Sequence, residues 1–313
     1  MTIARAEVKA QHRRYPIMAN IALIHDLSLH GLTAWRLHHG QSSALVCAQG
    51  AQVLEYGWRD EPSIIWNNPH ASFVKGQPIR GGVPVCWPWF TALESNPLAV
   101  RTDWEMTDAP FHGLLRQCRW QLESQQADEH GARLCLRAPA QPHGLEVRLR
   151  LHLSDTGLEL GLEVYNPGQR VIAMCAALHS YYAVSEVSRI SLQGFAQAHY
   201  QDNLAARARH QQCGEPCIDG PIERVYQGLD NRVSIDDPLW QRKIHIHTRD
   251  SRSAVLWNPG AERAANLDQF AADAWPGMLC IETCRVQDDL FSVAAAGRSG
   301  FGMHISRERY PQS

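Results

Sequence analysis

Apolar and polar residues alternate with a period of two along much of the chain. Leu145, Val147, Leu149, Leu151 and Leu153 are interleaved with Glu146, Arg148, Arg150 and His152, which gives a strand one apolar and one polar face. The pattern restarts after Ser154-Asp155-Thr156-Gly157 with Leu158, Leu160, Leu162 and Val164, and it stops at Asn166-Pro167-Gly168. These two segments predict an antiparallel hairpin. Shorter strand-like runs occur at Ala44–Tyr56, Ala132–Arg137, Val171–Ala177, Lys243–His247, Ala254–Trp257, Met278–Cys284 and Gly302–Ser306. Helical period is scarce, and Ala264–Ala274 is the best candidate helix. Many short strands with few helices predict an all-β chain, a large antiparallel β-sandwich with few short helices. No repeat or linker divides it, so residues 21–313 read as one domain, with residues 1–20 as a peripheral segment.

Composition narrows the partners. The 313 residues carry a formal net charge of −2, which offers no basic field for nucleic acid or an anionic membrane. Of 30 Lys and Arg residues only Lys9, Lys75 and Lys243 are lysines, so Schiff-base chemistry has few candidates and two-pronged anion recognition by arginine has many. Nine scattered cysteines do not form a disulfide framework and suggest a reducing compartment. The apolar run Ile17–Ile24 is short for a secretory core and far short of a membrane span. The expectation is a soluble, cytoplasmic monomer.

Four segments are candidates for chemistry. Arg80-Gly81-Gly82-Val83-Pro84 leads into Cys86-Trp87-Pro88-Trp89-Phe90, where glycines allow close backbone approach and prolines stiffen the chain beyond them. It reads either as a ligand loop or as a turn with core aromatics, and no Gly-Lys-Ser/Thr comes after it to make it a nucleotide loop. His112-Gly113-Leu114-Leu115-Arg116 sets a histidine and an arginine beside a glycine before a strand. Leu178-His179-Ser180-Tyr181 closes an apolar run. In Met278–Cys284 a single carboxylate, Glu282, interrupts an apolar strand on the same face as Cys280 and Cys284. A buried carboxylate must find a donor or shift its pKa, so Glu282 is either functional or turned to water on an edge strand. The Cys213/Cys217 and Cys280/Cys284 spacings are tolerable for zinc, but the second pair sits within a strand, and small apolar filler is the better reading, with no metal expected. No Gly-x-Ser-x-Gly elbow supports a serine hydrolase.

Taken together, Arg80-Gly-Gly-Val-Pro, His112-Gly-x-x-Arg116, Leu178-His179-x-Tyr181 and Cys280-Ile281-Glu282 resemble the hexose-6-phosphate mutarotases, a branch of the aldose 1-epimerase superfamily, over roughly residues 40–305. The resemblance implies a galactose mutarotase-like β-sandwich that interconverts the α and β anomers of a hexose 6-phosphate, glucose 6-phosphate above all, without cofactor. It implies His179 as general acid and Glu282 as general base, with Arg80 and Arg116 on the sugar phosphate and His112 among the substrate-binding residues. Glu223, before Arg224-Val225-Tyr226, stands where the family usually has an aspartate that contacts sugar hydroxyls, and its longer arm bears on sugar preference. For this division of labour Glu282 must be ionised and His179 protonated, each favouring the other's charge. Trp87 and Trp89 either face the sugar or pack in the core. The alternatives are an epimerase for unphosphorylated aldoses and a sugar-phosphate-binding protein without catalysis.

Overall fold

A computed structural model describes residues 22–311. The segment 1–20, expected at the periphery, lies outside the described residues. Strands dominate, joined by two short helices, Leu98–Asp103 and Gly260–Ala264, and a few single 3₁₀ turns. Among the described residues no helix is long and apolar enough to cross a membrane.

The rear layer is an eight-stranded antiparallel sheet in the spatial order 191–193, 232–237, 242–249, 298–309, 157–165, 146–154, 131–137, 121–128. Its centre is the predicted hairpin: Glu146–Ser154 pairs with Gly157–Tyr165, Leu149 opposite Leu162 and Ser154 opposite Gly157. The alternation read from sequence appears as burial, because Val147, Leu149, Leu151 and Leu153 are each 2% exposed or less while Arg150 faces water. One apolar face is thereby committed to the core, and a one-residue slip would turn every leucine to solvent.

The front layer is built from two sheets. Leu23–Leu29, Leu32–His39, Ser42–Cys47 and Gln52–Trp58 form a four-stranded meander. The second sheet runs in the order 208–211, 199–202, 222–227, 253–258, 278–285, 176–178, 85–86, with 181–183 also pairing against 278–285. The two meet where Val53 bridges Val83 and Ile65 bridges Tyr182. A continuous apolar cluster joins front and rear, from Trp35 and Val46 through Leu149 and Leu160 to Ile281 and Ile305. Polar groups stitch the same seam, with the Tyr56 hydroxyl donating to the Ile305 carbonyl at 3.1 Å.

Met278–Arg285 is central in its sheet and seven of its eight residues are buried. Leu279 and Ile281 enter the main core, while Cys280 joins Trp66, Tyr181, Ala183 and Met278 in a smaller cluster on the outer face. Glu282 therefore does not lie on an edge strand turned to water; it is 1% exposed.

Three expectations change. Ala44–Tyr56 divides into two strands, because Ala48–Ala51 turn the chain, with Gly50 and Ala51 both at positive φ. Val171–Ala177 breaks at Cys175, whose N–H goes to the Pro88 carbonyl, so Ile172–Met174 pairs with Phe291–Val293 and Ala176–Leu178 joins the front sheet. The helix expected at Ala264–Ala274 is instead Gly260–Ala264 followed by turns. Carbonyls a helix would have used are taken elsewhere: Arg80 Nε donates to the Asp268 carbonyl at 2.6 Å and Asn68 Nδ2 to that of Gln269 at 2.7 Å. Trp87 and Trp89 are both 0% exposed, so they are core aromatics and not sugar platforms.

Candidate active site

The front sheet's outer face carries a cavity of about 310 Å³, toward the small end for small-molecule sites. All six residues singled out as site candidates line it: Arg80, His112, Arg116, His179, Glu223 and Glu282. They come from five separate parts of the chain, and pairing of the central strands brings them together.

Backbone bonds hold His179 against the glycine-proline motif. Its N–H donates to the Pro84 carbonyl and that of Tyr181 to the Gly82 carbonyl, both at 2.9 Å. Gly82 is at φ +66°, and a Cβ there would stand 2.2 Å from the Val53 carbonyl oxygen, so the motif is glycine because two backbones touch. Tyr181 stacks on the His179 ring at 4.9 Å between centroids, and Trp257 meets it edge-on at 6.4 Å. His179 Nε2 then lies 3.4 Å from Glu282 Oε1.

His112 is set by its own turn at φ +65°. Its ring approaches the His179 ring at 5.4 Å, nearly perpendicular. The Thr91 N–H donates to His112 Nδ1 at 3.2 Å, which leaves the imidazole proton on Nε2. Burial, with the charges of Arg116 and Arg80 nearby, keeps this ring neutral, its pKa well below the usual histidine value.

Arg80 and Arg116 reach the cavity from these two motifs. Arg80 is tethered at Nε by the Asp268 carbonyl and Arg116 at Nη2 by the Phe111 carbonyl at 2.7 Å. Neither forms an ion pair with a carboxylate of the described residues. Arg116 Nε, His179 Nδ1 and Glu282 Oε2 are buried without a hydrogen-bond partner among the described residues. Such groups are costly to leave unpaired, and their convergence in one cavity is the mark of a polar ligand site.

Glu223 is less free. Arg263 Nη1 donates to its Oε2 at 2.8 Å and Asn203 Nδ2 to its Oε1 at 3.1 Å. Sequence reading missed Arg263 and Asn203, together with Trp257, Asp268 and Gln269 in the cavity wall. Arg263 lies in a short helix and Asn203 just after a half-buried strand, and nothing local distinguishes them from surface residues. The segment His199–Asp219 contributes to the wall through Asn203, and Arg207 Nη2 donates to Ser95 Oγ at 3.0 Å.

A family model described as aldose 1-epimerase matches residues 33–300. The chain belongs to the aldose 1-epimerase family. It is therefore an isomerase of the class that inverts an anomeric centre. An Escherichia coli K12 protein named "Putative glucose-6-phosphate 1-epimerase" is 26% identical to this epimerase over 252 residues, 78% of this chain and 80% of that protein. The crystal structure of a "putative mutarotase" from Salmonella typhimurium matches it with a TM-score of 0.81 and 23% identity, covering 91% of this chain and 94% of that one. A galactose mutarotase-like protein from Clostridium acetobutylicum matches with a TM-score of 0.71 and 14% identity over 92% and 99% of the two chains. These likenesses establish the galactose mutarotase-like sandwich.

Burial in the epimerase works against the charges expected of His179 and Glu282. Burial pushes His179 down to about 3, and Arg116 and Arg80 add to the effect. Burial also raises Glu282 well above the carboxylate range, and the negative charge of Glu223 adds to that. Desolvation therefore acts against the charged form of both partners, in opposition to the attraction that their 3.4 Å approach offers. The neutral pair and the ion pair hold the same single proton, so one converts to the other by a transfer within the pair.

Proposed function

We propose that this epimerase interconverts the α and β anomers of a hexose 6-phosphate, glucose 6-phosphate in particular, with Glu282 and His179 as the acid–base pair. The observation that carries this reading is that two guanidinium groups without carboxylate partners among the described residues, Arg80 and Arg116, share one cavity with that pair. An unphosphorylated sugar gives them nothing to neutralise. The 6-phosphate does, and guanidinium is suited to phosphate by charge and by its planar fork of donors.

In the ring-opening direction, Glu282 as carboxylate takes the proton of the anomeric hydroxyl while His179 as imidazolium gives one to the ring oxygen. The bond from C1 to the ring oxygen breaks and C1 becomes the aldehyde carbon. Rotation about C1–C2 presents the other carbonyl face, and reclosure reverses both transfers. Positioned acid–base groups of this kind contribute on the order of 10²–10⁴ each. The phosphate is remote from the reacting bond, so Arg80 and Arg116 orient the sugar. His112 offers its Nε2 proton to a sugar oxygen, and Glu223, held by Arg263 and Asn203, accepts from hydroxyls. We read residues 21–313 as one catalytic domain, a reading supported by the core shared between front and rear sheets. The enzyme is taken as a cytoplasmic monomer, in keeping with nine cysteines free of disulfides.

Arg80→Ala tests the phosphate assignment. The substitution removes a charge-assisted hydrogen-bond donor, so kcat/KM on glucose 6-phosphate is expected to fall by about 30–100-fold, against a much smaller loss on glucose. Equal losses on both sugars would make Arg80 a structural residue.

A further inference from the structure

The segment Pro78–Gly81 passes between two glutamine amides. On one side Gln52, fully buried, donates through Nε2 to the Ile79 carbonyl at 3.1 Å and to the Gly81 carbonyl at 2.7 Å. On the other, Gln269 donates through Nε2 to the Pro78 carbonyl at 3.1 Å, and its Oε1 accepts the Ser72 N–H at 2.9 Å and the Arg80 N–H at 3.4 Å. The groups taken alternate along the chain as they do at the two edges of a strand, so each amide stands in for a neighbouring strand.

The two braces differ in what they reach. Gln52 holds the carbonyls on either side of Arg80, whereas the turn at Gln269 holds Arg80 itself. The Asp268 carbonyl accepts from Arg80 Nε at 2.6 Å, and Asn68 Nδ2 donates both to the Arg80 carbonyl at 3.2 Å and to the Gln269 carbonyl at 2.7 Å. Gln269 is at φ +54°, a left-handed conformation that non-glycine residues adopt seldom. With Nε occupied, the two Nη groups of Arg80 are the donors left for an anion. Gln269 lines the cavity as well, yet its amide is spent on the protein: Oε1 accepts from two N–H groups, and Nε2 donates to the Pro78 carbonyl and to Asp268 Oδ2 at 3.5 Å. Nothing remains of its donors or lone pairs for a sugar.

We propose that Gln269 is a specificity-determining positioning residue: it locks Arg80 at the backbone and, through the Asp268 carbonyl, at the guanidinium, and so sets the preference for a phosphorylated over a free sugar without touching either. An arginine that is tethered before an anion arrives loses less side-chain freedom on clamping it, and that gain falls on phosphosugars alone.

This proposal rests on the phosphosugar reading, and its test separates the two. In Gln269→Asn the residue type tolerates positive φ, so the turn is kept, while an arm shorter by one methylene no longer spans Pro78 and Arg80. The ratio of kcat/KM for glucose 6-phosphate to that for glucose is expected to fall about tenfold, the worth of one lost hydrogen-bonded contact. In an Arg80→Ala background the same substitution is expected to change the ratio by less than about twofold, because the residue it acts through is gone. Calorimetric titration with 1,5-anhydroglucitol 6-phosphate, a ring that cannot open, reads the same cycle without catalysis. For Gln269→Asn and for Gln269→Met, binding about tenfold weaker is expected only where Arg80 is present. An unchanged ratio and affinity in the single variants, or an equal loss with and without Arg80, overturns the positioning role and leaves the phosphosugar reading standing. An Arg80→Ala enzyme that keeps the wild-type ratio instead removes that reading, and the proposal with it.

Discussion

Glu282→Gln is expected to lower kcat/KM for glucose 6-phosphate anomerisation by on the order of 10³, the loss for removing a positioned general base. The substitution keeps shape and volume in a fully buried position, so packing is not the variable. What disappears is the capacity to exchange a proton with the anomeric hydroxyl and with His179 Nε2 3.4 Å away. Stability separates this loss from unfolding. A carboxyl whose pKa is raised in the folded state contributes stability below its unfolded pKa of about 4.3 and loses it as pH rises. The variant should therefore be at least as stable as wild type near pH 7, with any advantage vanishing toward pH 4. Loss of activity smaller than about threefold, with stability unchanged, would exclude Glu282 as the base.

Gly113→Ala is expected to destabilise the protein by roughly 3–5 kcal/mol, or on the order of 10 °C in Tm. Gly113 is at φ +79°, and a Cβ there would sit 2.1 Å from the Trp87 carbonyl oxygen. That oxygen already accepts the Leu114 N–H at 2.7 Å, and Trp87 and Gly113 form a parallel bridge. Relief requires moving backbone on both sides, the His112 turn on one and the Trp87–Pro88 segment on the other, and the shift would carry His112 away from His179. Thermal unfolding checks the first effect and residual anomerase activity the second. A variant that melts with wild type would show that the two backbones separate at little cost.

The rear sheet was legible because its strands have one wet and one dry face, as the Leu145–Val164 hairpin shows. The front sheet was less so. Ala176–Leu178 and Met278–Arg285 are buried on both faces and read only as apolar runs, while Ala208–Gln211 is a polar edge strand without alternation. The failed helix at Ala264–Ala274 is the clearest case of long-range contacts overriding local pattern, since Asn68 and Arg80 capture its carbonyls from nearly 200 residues away.

For the site, residue types and motif order were enough to collect Arg80, His112, Arg116, His179, Glu223 and Glu282, all of which prove to line one cavity. Their charge states were not legible. The sequence places an acid and a base in plausible roles, but the burial that works against their charges comes from the fold around them. Arg263 and Asn203 escaped for a related reason, because their part depends wholly on the position of Glu223.

The central claim, anomer interconversion of a hexose 6-phosphate, is tested most directly by magnetisation-transfer NMR of the wild-type enzyme with glucose 6-phosphate and with glucose at matched concentrations. Enhanced exchange between the α and β anomeric signals of glucose 6-phosphate, well above that on glucose, is the predicted result. Enhancement confined to glucose, or absent from both sugars, would contradict the account.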